Sequence, residues 1–250
     1  MVGDVAEKED LREGFIRDIL LLRSAGLRPI IVHGGGLEVA RRMDEHGTPL
    51  KLMNGIPTPS GDAAQVLEET LVGRVNKDLV SLVQRLGGQA VGLSGKDGDL
   101  IRAKRATLSG GSTAGTIERV DAGVVGVLDN ANYLPIVAAI GVDNDGETVT
   151  LSADSVASEL AISLNAGKLI FMANTPGITE EGTLMTSLDA DSAAELLKTG
   201  ALEDGTSRRL SAGLRAHSNH VRSVHFIDGR VPHSIVGELF TSLGVGTMLS

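Results

Sequence analysis

Leu11, Phe15, Ile19 and Leu22 recur at three- and four-residue intervals with arginines and aspartates between them, which predicts an amphipathic helix over residues 9–25. Gly26 supplies the usual glycine stop. Pro29-Ile30-Ile31-Val32 is short and apolar and reads as a buried parallel strand. His33-Gly34-Gly35-Gly36 follows it, and a second helix starts at Leu37. Leu67, Leu71, Val75, Leu79, Leu82 and Leu86 form one stripe of a long helix over residues 62–86, closed by Gly87-Gly88. Further strands are expected at Ala90–Leu93, Tyr133–Val137, Thr148–Leu151, Lys168–Met172 and Val224–Ile227, with helices at Asp154–Asn165 and Asp191–Lys198. Asp143-Asn144-Asp145-Gly146 carries turn chemistry. Strands alternating with helices indicate an α/β sheet covered on both faces.

Composition narrows the function. The 250 residues, 42% of them hydrophobic, suffice for one large α/β domain or two fused lobes. Mean hydropathy is +0.11, and no apolar run approaches the roughly 18 residues of a membrane span. The N-terminus is acidic where a signal peptide would be basic. With no cysteine, disulfides and thiolate metal sites are excluded, and a cytoplasmic location is expected. A net charge of −9 and 2% aromatic residues argue against nucleic acid as a partner and leave small molecules.

The strand, glycine run and helix at residues 29–42 form the most informative local pattern. Gly34, Gly35 and Gly36 let backbone amides approach a ligand at a helix N-terminus, an arrangement suited to phosphate. The alternative is a tight βα turn with no ligand. The run is neither a Walker A loop nor a dinucleotide fingerprint. His217, His220 and His225 lack a third ligand at metal spacing and read as surface or packing residues, so no metal site is assigned. Asp143-x-Asp145-Gly146 lacks the downstream acidic ligands of a calcium loop and reads as a hairpin turn. Lys96 and Asp97, in a glycine-rich turn, are given a structural role.

Taken together, several blocks carry a specific resemblance. They are Ile31-Val32-His33-Gly34-Gly35-Gly36, Val72-Gly73-Arg74-Val75-Asn76-Lys77, Gly92-Leu93-Ser94-Gly95-Lys96-Asp97-Gly98 and Ala153-Asp154. Asn174-Thr175-Pro176-Gly177, Ile227-Asp228-Gly229-Arg230-Val231-Pro232-His233 and Gly246-Thr247-Met248 complete the set. In order and spacing this series resembles the acetylglutamate kinases of the amino acid kinase family, along essentially the whole chain. The resemblance implies a three-layer αβα sandwich with a mostly parallel open sheet. It implies an N-lobe (residues 1–165) that binds an acyl-amino acid and forms a homodimer through the long helix, and a nucleotide-binding C-lobe (166–250). The implied reaction transfers the γ-phosphoryl group of ATP, with Mg2+, to the side-chain carboxylate of N-acetyl-L-glutamate in arginine biosynthesis. By the same resemblance Gly34, Gly35 and Gly36 face substrate, Asp154 is the organising aspartate, and Asn174, Thr175, Pro176 and Gly177 face the nucleotide.

Other positions depart from that pattern. The family's first lysine lies in a K-x-G-G strand ahead of the first helix, and nothing upstream of Leu11 reads as a strand. The second lysine falls at Arg209, which keeps the charge and loses the compact geometry. Pro57 stands where an arginine grips the α-carboxylate, Thr150 and Ser152 stand where two asparagines lie near substrate, and Asn174 replaces an aspartate. Losing one preorganised charge stabiliser costs about 3 kcal/mol, so efficient acetylglutamate kinase activity is not expected. Three readings stay open: a kinase whose N-terminus has been trimmed, a non-catalytic protein that binds nucleotide or acyl-amino acid, and a kinase for another carboxylate.

Overall fold

The computed structural model describes residues 8–47, 52–53, 56–58, 63–107, 113–241 and 244–250. The chain divides into two compact units, Leu22–Val156 and Met1–Leu21 with Ala157–Ser250. The first predicted helix is α1 (Glu9–Ser24), opened by Glu9 and Asp10 and closed by Arg23, charges that complement its dipole.

In Leu22–Val156, β1 (Ile31–His33) leads through the glycine run into α2 (Gly36–Glu45). A two-residue hairpin, β2 (Leu52–Met53) and β3 (Ile56–Pro57), contains the backbone of Pro57 paired with Leu52. The long helix predicted over residues 62–86 is wound in three parts. These are α3 (Ala63–Glu68), a π-helical segment Glu69–Val75, and α4 (Asn76–Arg85). Two residues account for the wider winding: Thr70 returns its hydroxyl to the Val66 carbonyl at 2.7 Å, and Gly73 weakens regular helix. Val39 and Met43 of α2 pack on Ala63, Leu67 and Leu71 of the long helix, with Ile140 beside them.

Strand β4 (Ala90–Leu93) matches the apolar run read from sequence. Strands β5 (Ile101–Thr107) and β6 (Thr113–Val120) form an antiparallel ribbon the hydrophobic pattern does not announce. Helix α5 (Gly123–Asn130) then leads to β7 (Leu134–Ala138), buried along its whole length as a central parallel strand should be. The parallel sheet runs β1-β7-β4. A second sheet, β6-β5-β8-β9, adds β8 (Ile140–Val142) and β9 (Thr148–Thr150) around the predicted turn. Asp143 holds that turn: its Oδ1 accepts the amides of Asp145 and Glu147, and its Oδ2 pairs with Arg105 at 2.9 Å. Helix α6 (Ala153–Ser163) follows.

In the other unit, β10 (Lys168–Ala173) is followed by three short strands. They are β11 (Thr179–Glu180), β12 (Thr183–Leu184) and β13 (Ser187–Leu188). Helix α7 (Ala190–Thr199) is capped by the Asp189 carboxylate on the Ser192 amide and stopped by Gly200 at positive φ. Helix α8 (Asp204–Ser218), β14 (Ser223–Asp228), α9 (Ser234–Phe240) and β15 (Thr247–Leu249) complete the chain. The sheet order is β10-β14-β15-β13, with β10 and β14 parallel. Phe171 and Phe226 stack at 5.4 Å, and Gly213 lets α8 lie on them, since a Cβ there would sit 2.8 Å from the Phe226 ring. The predicted α/β class is found. Among the described residues no helix is long and apolar enough to cross a membrane.

Candidate functional site

In open α/β sheets ligands gather beyond the carboxyl ends of parallel strands. In Leu22–Val156 that position holds the glycine run after β1. The three glycines have different reasons to be there. A Cβ on Gly35 would fall 1.9 Å from Val39 Cγ2 and 2.9 Å from Leu71 Cδ2, so packing alone demands glycine. Gly36 has φ +48°, a left-handed backbone. Gly34 has neither constraint: its Cβ would meet only the Ala153 side chain, at an ordinary 3.6 Å. Gly34 is thus a glycine that neither packing nor backbone conformation requires. The N-cap residue of α2, Gly35, offers no side-chain acceptor to the first-turn amides.

The contact with Ala153 also places the Ser152-Ala153-Asp154 turn against the glycine run. Backbone bonds reinforce it: Ala139 N–H donates to His33 O at 3.1 Å and Leu151 N–H to Ala139 O at 3.3 Å. Gly34, Gly35 and Gly36 and the segment carrying Thr150, Ser152 and Asp154 are therefore neighbours in the fold. Thr150 is buried in β9 opposite Ile140. Ser152 Oγ accepts the Ser155 amide at 3.4 Å and so caps α6. That bond takes one of the two lone pairs of the hydroxyl. Glu38, in the first turn of α2, is surrounded by Arg41, Arg42 and Arg74. The Arg41 bond holds its carboxyl below the usual range against the smaller opposing effect of burial.

Two residues beneath the glycine run were present in the motifs but not singled out. His33 is 1% exposed and Asn76 0%. His33 Nδ1 lies 3.1 Å from the Gly34 carbonyl, and His33 Nε2 lies 3.0 Å from Asn76 Nδ2. Asn76 Nδ2 also donates to Ile136 O at 2.9 Å, and Lys77 Nζ donates to Asn76 Oδ1 at 3.2 Å. Burial pushes the His33 imidazole down to about 4, beyond what its bond to Gly34 restores, with the Lys77 charge adding to the fall. The ring is neutral at pH 7. A sequence signal existed: Asn76 falls inside a helix otherwise striped with leucine. Gly92 belongs to the same set, since its Cβ would lie 1.7 Å from Asn76 Oδ1. Lys96 pairs with Glu68 at 2.8 Å, and Asp97 binds the amide and hydroxyl of Ser94, consistent with structural roles.

The second group of motif residues lies in the other unit, beyond the carboxyl ends of β10 and β14. Asn174 and Pro176 are exposed, Thr175 is half-buried and Gly177 is buried. Gly177 has φ +147°, and its Cβ would lie 2.6 Å from Thr247 Oγ1. That hydroxyl accepts the Ile178 amide at 2.8 Å, and Gly229 N–H donates to Ala173 O at 2.7 Å. Three separate motif blocks thus meet at one turn. Arg230 grips Asp228 through Nε at 3.0 Å and Nη2 at 2.7 Å. These bonds hold the Asp228 carboxyl below its ordinary value despite burial. Arg209, on α8, is only 8% exposed and donates to Thr206 Oγ1 at 3.3 Å.

His225, read as a packing histidine, is buried on β14. Its Nδ1 meets Glu238 at 2.7 Å and its Nε2 meets Ser223 at 3.1 Å. Among the described residues no group of three His, Asp or Glu side chains converges as a metal site.

The sequence model described as the amino acid kinase family matches residues 3–228. The acetylglutamate kinase of Chromobacterium violaceum is 40% identical, with 99% of this chain aligned to 88% of that protein. The acetylglutamate kinase of a Nostoc species is 39% identical, covering 99% of this chain and 85% of its own length. Among solved structures, N-acetylglutamate synthase from Neisseria gonorrhoeae, complexed with coenzyme A and N-acetyl-glutamate, superimposes with a TM-score of 0.84 at 24% identity. That alignment takes in 98% of this chain and 57% of the synthase, little more than half its length. The chain belongs to the amino acid kinase family and is acetylglutamate kinase-like.

Proposed function

We propose that this chain binds N-acetyl-L-glutamate and ATP with Mg2+ and phosphorylates the side-chain carboxylate, at a rate below that of an efficient metabolic kinase. The observation that carries this reading is Gly34, a glycine without a packing reason, set at an uncapped helix start beside the Ser152–Asp154 turn. A carboxylate oxygen of the substrate attacks the γ-phosphorus, the bond to the β-phosphate bridging oxygen breaks, and ADP leaves with that electron pair. Such transfers depend on positioning and on offsetting spreading negative charge. The glycine amides supply fixed partial positive charge, and Asp154 orders the donors around them. Asn174, Thr175, Pro176 and Gly177 would hold the nucleotide, with Arg209 the cation assigned to the transferring group. Residues 1–165 would serve the acyl-amino acid and 166–250 the nucleotide, in a cytoplasmic homodimer seamed by α3 and α4.

The test is release of ADP with N-acetyl-L-glutamate, with the acyl phosphate trapped by hydroxylamine. Turnover should fall about a hundredfold or more below 1 per second, and Gly34→Ala or Asp154→Asn should abolish what remains. Absence of trapped product at micromolar enzyme would end the catalytic reading. A second reading, a non-catalytic binder, is favoured by Arg209, whose guanidinium is buried and tied to Thr206 rather than open to solvent. It predicts calorimetric binding of ATP–magnesium with no ADP formed.

A further inference from the structure

The hydrogen-bonded series of exposed Lys77, buried Asn76, buried His33 and the Gly34 carbonyl has no part in the chemistry above, yet it ends on the glycine run. We infer that His33 is a positioning residue that fixes the Gly34–Gly35 peptide plane, so that the Gly35 N–H points outward to an anionic ligand. This rests on the proposed function of that run as an anion cradle.

The argument starts from the peptide itself. A trans peptide is planar, with its C=O and N–H on opposite edges. His33 Nδ1, 3.1 Å from Gly34 O, therefore draws the carbonyl inward and turns the Gly35 N–H the opposite way. A peptide between two glycines is otherwise easily rotated, because neither flanking residue has a Cβ to resist it. The bond works only if Nδ1 carries the hydrogen, and the second ring nitrogen decides that. Nε2 faces Asn76 Nδ2, a donor, so Nε2 must accept. The Asn76 amide cannot be turned over, because its nitrogen also serves Ile136 O and its oxygen receives Lys77 Nζ. Lys77 is fixed in turn on Gly92 O at 3.1 Å. Four groups in series thus set one hydrogen atom and, through it, one peptide. Burial keeps the ring neutral, as a ring with one donor and one acceptor nitrogen must be.

The experiment compares the wild type with His33→Phe and His33→Gln. Nitrogen-15 histidine spectra of the intact protein should show His33 neutral with the hydrogen on Nδ1. An Nε2–H tautomer or an imidazolium at pH 7 overturns the inference, whether or not any variant folds. In ADP-release assays His33→Phe should lower kcat about 10- to 100-fold, with KM for both substrates within about threefold. His33→Gln, whose amide can both donate and accept, should recover most of the loss. A His33→Phe kcat within twofold of wild type, or equal losses in both variants, overturns it. If the wild type releases no ADP, the kinase reading fails separately, and glycine-15N amide shifts on adding ATP–magnesium take over as the readout. Those shifts should be present in wild type and lost in His33→Phe; their absence in the first or persistence in the second overturns it.

Discussion

Replacing Glu238 by alanine should be among the most damaging changes outside the glycine run. Glu238, 9% exposed at the end of the chain's last helix, serves three donors. Its Oε2 accepts Val245 N–H at 2.7 Å and Gly246 N–H at 3.1 Å, and its Oε1 accepts His225 Nδ1–H at 2.7 Å. Burial pushes the carboxyl up, but the Val245 amide, His225 and the Gly246 amide together pull it below its ordinary 4.5. Each orphaned buried donor costs about 1–3 kcal/mol, and water entering the vacated space recovers part of that. A net loss of about 3–5 kcal/mol is expected from the three donors together. Glu238→Gln should cost only about 1–2 kcal/mol, because one amide oxygen can keep both backbone donors while His225 changes tautomer. The sign with pH follows from the lowered value. The contribution is complete above about pH 4.5 and is lost as pH falls through the folded-state value. Urea unfolding followed by circular dichroism measures all three quantities. An alanine cost below about 1 kcal/mol, or equal costs for alanine and glutamine, would refute the accounting.

Gly92→Ala should lose about 2–4 kcal/mol in the same assay, because its Cβ would displace Asn76 Oδ1 from 1.7 Å away; a neutral result would mean Asn76 moves freely. His33, neutral when folded with a value near 4 against 6.5 unfolded, makes stability fall as pH drops from 6.5 toward 4. The full loss is about 3 kcal/mol, and unfolding curves of His33→Gln should lack that slope. Gly177→Ala should cost about 1–3 kcal/mol through its φ of +147° and the 2.6 Å approach to Thr247 Oγ1. Faster amide exchange at Ile178 would report the broken Thr247 bond.

Much of this architecture can be read from residues 29–45, where a short apolar strand, three glycines and a polar-faced helix allow only one local fold. Ala90–Leu93 and Lys168–Ala173 were equally legible, because fully buried parallel strands leave unbroken apolar runs. The ribbon of Ile101–Thr107 and Thr113–Val120 was not. Its segments, IRAKRAT and TAGTIERV, carry few large apolar residues and no sustained apolar–polar alternation. The motif blocks show the Asn174 turn standing at a strand end, while only the fold brings Gly34 against Ala153, next to Asp154. They did not foretell that Gly35 is a packing glycine, because Val39 and Leu71 reach it only once the long helix is in place. The burial of Arg209 against Thr206 is likewise a tertiary fact.

The π-helical winding of Glu69–Val75 changes which residues can act together. Leu71 and Asn76 are five apart, and in a regular α-helix they would face directions about 140° apart. Here the Asn76 amide bonds back to the Leu71 carbonyl, the five-residue step that brings both side chains onto one side. Leu71 then presses on Gly35 while Asn76 reaches His33, so one helix grips the glycine run at two points. Residue count in this stretch is therefore itself information. Deleting one residue between Leu71 and Asn76 would leave them four apart, about 40° from each other in ordinary helix and still on one side. The same stretch wound as ordinary helix with no residue removed would instead swing Asn76 away from the glycine run, with no side chain there altered.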